Sequence, residues 1–180
     1  MSLHLDRTTC IWGASGSGKT ILAKKLISDA RPRQLVVIDP MAESGTDLRG
    51  IQAALERGDK SVTINSSRRD WQIAAILLAL NHSTTETPVY VMADEASGYL
   101  NKASDSLMHV VTKGRHAGFG IMIISQRPAT VDTTIRSQAA ETYWMRLGEH
   151  VDLSTARKTL GPEAEKLPDF KPGEFILKGI

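Results

Sequence analysis

The sequence predicts an α/β fold: a mainly parallel sheet flanked by helices, with antiparallel strands in the C-terminal third. Two observations carry this. Short β-branched runs alternate with longer stretches of helical periodicity, and apolar runs such as Leu35 to Ile38 and Ile121 to Ser125 are those of strands covered on both faces. With 180 residues, 41% of them apolar and 23% charged, the composition excludes disorder and collagen-like repeats and suits a single domain over residues 1–180.

Each element has its own justification. Thr8 to Trp12 predicts the first strand; a glycine-rich turn and a helix from about Lys19 to Asp29 follow, stopped by Arg31-Pro32. Leu35 to Ile38 predicts a second strand ended by Asp39-Pro40, which puts Asp39 at a carboxyl edge. A helix over Asp47 to Arg57, a strand over Ser61 to Ile64 and a helix over about Asp70 to Leu80 come next. Val89 to Ala93 is the strand before Asp94-Glu95, and Ser106 to Lys113 reads as a helix. Ile121 to Ser125 is a buried strand, Thr142 to Leu147 a further one, Leu153 to Leu160 a short helix closed by Gly161-Pro162, and Glu174 to Leu177 a final strand.

Several classes are excluded. The longest apolar run, Ile73 to Leu80, is far shorter than the roughly 20 residues that span a bilayer. The first residues lack a secretory signal, and Cys10 is the single cysteine, so the expected setting is a reducing cytoplasm. Five histidines show no ligand spacing, and no structural metal is expected.

Gly13, Ala14, Ser15, Gly16, Ser17, Gly18, Lys19 and Thr20 match G-x-x-x-x-G-K-[ST] between a predicted strand and a predicted helix, the context of a Walker A phosphate loop. Such a loop curls backbone N–H groups around phosphate oxygens at a helix N-terminus. Lys19 is then expected at the β and γ phosphates of ATP, with the Thr20 hydroxyl on Mg²⁺. A dinucleotide fingerprint fails because Ile21 stands where a small residue is needed, and a nucleophile elbow fails at Ser17.

Tyr90 to Glu95 has the form of a Walker B strand: Asp94 is expected to hold Mg²⁺ and Glu95 to orient and deprotonate the attacking water. Gln126, after the Ile121 to Ser125 strand, is expected to sense the γ phosphate. Asp39 fits a turn cap and a nucleotide contact equally.

The segment from Lys113 to Pro128, with its Gly114-Arg115 and Ser125-Gln126 pairs, resembles the FtsK/HerA superfamily of DNA-pumping ATPases. Ile38-Asp39-Pro40, Asp94-Glu95 and Gly173-Glu174-Phe175 are similar to it as well, and the likeness extends from about Thr9 to Leu177. Met41-Ala42-Glu43 departs from it where the family often has a lysine. The resemblance implies a RecA-like P-loop core working as a homo-oligomeric ring, usually a hexamer, with nucleotide between subunits and double-stranded DNA in the channel. It also implies an arginine finger, for which Arg115 is the first choice and Arg136 and Arg146 remain open.

The small size of the chain resembles viral genome-packaging ATPases. That implies capsid vertex or portal proteins as partners, the host cytoplasm as location, and association with the virion. A conjugation or DNA-processing motor, and a small P-loop switch or kinase, are the alternatives. A net charge of +2 leaves no large basic footprint, so DNA contact is expected from a few placed cations, Arg68, Arg69 and Lys102. Trp12, Trp71 and Trp144 read as core or subunit-contact residues rather than base platforms.

Overall fold

The computed structural model describes residues 3–101, 110 and 114–179, apart from the side chain of Arg115. The expected helix over Ser106 to Lys113 and the expected DNA contact at Lys102 therefore lie outside the described residues. The strands are β1 (Thr8–Trp12), β2 (Gln34–Ile38), β3 (Ser61–Ile64), β4 (Val89–Ala93), β5 (Gly120–Ser125), β6 (Glu141–Trp144) and β7 (Ile176–Gly179). The helices whose bounds fall among the described residues are α1 (Lys19–Ala30), α2 (Leu48–Arg57), α3 (Arg69–His82), α4 (Thr133–Ser137) and α5 (His150–Leu160). Local chemistry sets several boundaries. Asp47 Oδ1 accepts from the Gly50 N–H at 2.8 Å to start α2, and Gly58 ends it with φ of 76°.

The seven strands form one sheet in the order β3-β2-β4-β5-β1-β6-β7. Every pairing is parallel except β6 with β7. Alternate residues face opposite layers. On one face Cys10, Trp12, Val36, Val91, Ile123 and Trp144 pack with α2, α3 and α5 through Ile51, Ile76 and Ala156. On the other, Ile11, Tyr90, Met122, Ile124 and Tyr143 pack with α1 through Ala23, Leu26 and Ile27. Burial on both sides explains the unbroken apolar runs of β4 and β5. Trp12 and Trp144 stand side by side in the core, and Trp71 packs against it from α3.

Several expected boundaries move. The strand expected to reach Leu147 ends at Trp144, because the Arg146 carbonyl turns to accept from Ala14 N–H and Leu147 N–H donates to Leu167. The last helix starts at His150 rather than Leu153 and ends at Leu160 with Gly161 as its C-cap, as Gly161-Pro162 predicts. Gly161-Pro162 then begins a 3-10 stretch, Gly161–Asp169, since proline in the first turn has no donor to lose. The final strand starts at Ile176 rather than Glu174, whose carboxylate accepts from the Lys171 N–H at 2.8 Å and holds a turn instead.

Candidate active site

The parallel topology brings the ends of β1, β2, β4 and β5 to one edge of the sheet, so Gly13, Asp39, Asp94 and Gln126 emerge there from strands far apart in sequence. Between β1 and α1 the 13–20 loop is tied down by its neighbours. Gly13 N–H donates to the Ser125 carbonyl at 3.3 Å, and Ala14 N–H to the Arg146 carbonyl at 2.7 Å. An Arg146 guanidinium N–H reaches the Ser15 carbonyl at 3.2 Å, and Gly173 N–H reaches the Ser17 carbonyl at 2.8 Å. Two glycines are required by geometry. A Cβ on Gly13 would sit 2.6 Å from Ser17 Oγ and 2.9 Å from Met145 Cβ, and Gly18 has φ of 98°, which side chains rarely adopt.

Lys19, only 7% exposed, folds back into this loop and donates to the Ala14 carbonyl at 3.0 Å. Burial pushes its ammonium below the ordinary lysine range, and the nearby negative charges of Glu95 and Asp94 oppose that shift. Asp94, also 7% exposed, is pushed above the usual carboxylate range by burial, against the Glu95 N–H that bonds its Oδ1 at 2.8 Å. The charges of Asp39 and Glu95 add to the rise, and Lys19 counters it. One ammonium and three carboxyl groups thus share an edge with the first turn of α1, whose N–H groups have no side-chain cap.

Glu95 is held in a left-handed backbone conformation, φ 48° and ψ 40°, at a cost of about 1 kcal/mol or more. That turn aims its carboxylate at Gln126, whose Nε2 donates to Glu95 Oε1 at 2.7 Å. The Tyr99 hydroxyl donates to the Asp94 carbonyl at 2.9 Å, and the Tyr99 carbonyl in turn accepts from Arg69 Nε at 3.3 Å.

Lys19, Asp94, Glu95 and Gln126, expected at one site from the sequence, do come together. Thr20 lies in the first turn of α1. Arg115 has its backbone in a 3-10 turn, Gly114–Ala117, just before β5, and its side chain is outside the described residues. Arg146 bonds the 13–20 loop of its own chain, while Arg136 lies on α4 and bonds the Val131 carbonyl and Thr133 hydroxyl. Asp39 caps a turn, accepting from Met41 N–H at 2.9 Å, and also contributes charge at Asp94. Arg68 pairs with Asp70 and lies over the Trp71 ring.

Sequence reasoning missed a supporting clamp. Asp152 on α5 is fully buried and accepts from Arg127 Nε at 2.7 Å and from Ala129 N–H at 3.0 Å, fixing the loop directly after Gln126. Nothing local marks it: an aspartate in the first turn of a helix is ordinary there.

No family model matches the chain. Two curated relatives do, both named DNA double-strand break repair helicase HerA. The protein of Sulfurisphaera tokodaii is 31% identical over 101 residues, 51% of this chain, and that of Saccharolobus solfataricus 27% identical over 125 residues, 64% of it. The aligned parts span 20% and 24% of those relatives. The genome packaging NTPase B204 of Sulfolobus turreted icosahedral virus 2, solved with ATPγS, matches over 99% of this chain and 94% of its own, with a TM-score of 0.82 at 18% identity. That likeness shows the RecA-like P-loop fold, with a mostly parallel sheet and antiparallel C-terminal strands. Among the described residues no helix is long and apolar enough to cross a membrane. The chain is thus similar to HerA proteins over part of its sequence and to the packaging NTPase B204 in its whole fold.

Proposed function

We propose that the chain hydrolyses ATP to drive translocation of double-stranded DNA, and that its task is packaging a viral genome. The observation that carries this is the Gln126–Glu95 hydrogen bond at 2.7 Å, with Glu95 close enough to Lys19 and Asp94 to alter their titration. A buried aspartate and a half-buried glutamate facing a lysine in a glycine-rich loop suit hydrolysis of a β–γ phosphate bond. B204, solved with an ATP analogue and named as a packaging NTPase, supports the nucleotide and the task.

In this mechanism the Gly13–Thr20 loop binds the phosphates through backbone N–H groups, and Lys19 leaves the Ala14 carbonyl to meet the β and γ oxygens. Glu95 accepts a proton from the attacking water, which it orients in line with the β–γ bond. Gln126, bonded to Glu95, contacts the γ phosphate when it is present and shifts its hydrogen bond when it is lost. Thr20 and Asp94 would hold Mg²⁺: the hydroxyl and carboxylate are the oxygen donors this hard cation takes. When bound, the ion neutralises charge developing on the β and γ oxygens. Arg115 acts on the γ phosphate of a neighbouring subunit in a ring, a hexamer by family resemblance, with Arg68, Arg69 and Lys102 toward DNA.

The deciding experiment is the ATPase rate with and without duplex DNA, at protein concentrations above and below assembly. Stimulation by DNA only in the assembled state is the expected result. Phosphate transfer to a small molecule, indifferent to DNA, would replace the motor with a kinase. A DNA-end-processing motor is the second reading, favoured by the local likeness to HerA sequences. Mixed assemblies of Arg115→Ala with Glu95→Gln subunits are expected to recover part of the hydrolysis that each variant lacks alone. Failure to complement would remove Arg115 from action across an interface.

A further inference from the structure

A second polar cavity, of 190 Å³, lies under α4 and α5 on the sheet face opposite α1. The strand register builds its floor. Cys10, Thr142 and Lys178 are paired across β1, β6 and β7, and Trp12, Trp144 and Ile176 form the next row but one on the same face. Trp12, Thr142, Trp144 and Lys178 line the cavity from this floor, with Arg136 of α4 and Thr159 of α5 from above. Glu141, next to Thr142 on β6, belongs to the other face, where its charge reaches Tyr90 and Tyr143.

Among the described residues the lining therefore contains two cations and no carboxylate. Arg136 is oriented by hydrogen bonds to the Val131 carbonyl at 3.0 Å and the Thr133 hydroxyl at 3.0 Å, which use two of its five N–H donors. Its charge is felt by the buried Cys10 thiol in the floor. The Trp144 side chain, 2% exposed, also lines the cavity, and its buried indole N–H has no hydrogen-bond partner among the described residues. A volume this small is below the roughly 300 Å³ of nucleotide- and drug-sized pockets but holds a tetrahedral oxyanion.

We propose that this cavity is a phosphate-binding site, separate from the loop of residues 13–20, in which Arg136 and Lys178 hold the anion and Thr142 and Thr159 hydroxyls complete its hydrogen bonding. The group it takes is a phosphate oxyanion, either free inorganic phosphate or a phosphodiester of DNA. It requires neither the ATPase mechanism nor a ring. A guanidinium and an ammonium without an opposing carboxylate favour such an anion over neutral ligands.

The test follows the indole N–H resonance of Trp144, assigned by its loss in Trp144→Phe, in the intact chain with ADP saturating the other site. Inorganic phosphate is added in one series and a short DNA duplex in another. A saturable shift with phosphate alone assigns the site to the free anion, and a shift with both assigns it to phosphodiesters as well. Lys178→Glu, at an exposed position that folding tolerates, is expected to weaken the response by about tenfold or more. Absence of a shift in both series overturns the proposal, as does an undiminished shift in Lys178→Glu. Arg136→Gln, followed through the Trp12 resonance, repeats the comparison from the other side of the cavity.

Discussion

Asp94 and Asp152 are both buried carboxylates that fix a loop at the same edge of the sheet, yet they are treated in opposite ways. Asp152 has an arginine on one oxygen and a backbone N–H on the other, which offsets the cost of removing it from water. Asp94 has one backbone N–H and faces Asp39 and Glu95, so burial and like charge together raise its titration. The difference separates two uses of buried charge. A fully partnered carboxylate holds the Gln126 loop in place, whereas an incompletely partnered one keeps unfavourable free energy that a bound cation can relieve.

Glu95→Gln gives the largest effect expected of this contrast. The amide keeps the shape but cannot accept a proton, so turnover is expected to fall by about 10²–10⁴-fold with nucleotide binding retained. Equal steady-state hydrolysis by variant and parent would take Glu95 out of the chemistry.

Asp152→Ala is expected to cost about 1–3 kcal/mol of stability. It leaves the Ala129 N–H and the half-exposed Arg127 unpaired, and the exposure of Arg127 keeps the loss below that of a fully buried pair. Denaturant unfolding checks it, and Asp152→Asn, which retains an acceptor, should recover part of the loss. A neutral result would mean that the clamp carries no net stability.

Asp94→Asn should do the reverse. Because the folded-state titration of Asp94 is raised above 3.8, its protonated form is favoured by the fold; that stabilisation is present below 3.8 and lost as pH rises through the raised value. At neutral pH the charged side chain is therefore destabilising. The variant is expected to melt higher, by about 2–4 °C for each kcal/mol relieved, with the gain vanishing below pH 3.8. A melting point unchanged or lowered at neutral pH would show that Asp94 is compensated as fully as Asp152.

The smallest expected effect is in the pH profile of the parent's hydrolysis. Activity should decline on the acid side as Asp94 takes up its proton, and Mg²⁺ should move that limb to lower pH by favouring the carboxylate. An acid limb insensitive to Mg²⁺ concentration would separate Asp94 from the metal.

The sequence by itself determined the strands whose signal is local and complete. The boundaries of β1, β3 and β4 follow from apolar runs bounded by turn residues, and the 13–20 loop is legible because its glycines, lysine and threonine are contiguous. The grouping of Asp94, Glu95 and Gln126 with that loop was legible too, since each acid or amide ends a buried strand and parallel strands share a carboxyl edge. Only the tertiary structure decided where β6 stops, because beyond it the Arg146 carbonyl is claimed by the Ala14 N–H and the Leu147 N–H by the Leu167 carbonyl. It alone paired Asp152 with Arg127 across 25 positions, and it alone laid Arg136, Thr142 and Lys178 around one cavity. The physical reason is range: hydrophobic periodicity and turn chemistry act between near neighbours in the chain, while charge pairing and cavity lining act between neighbours in space.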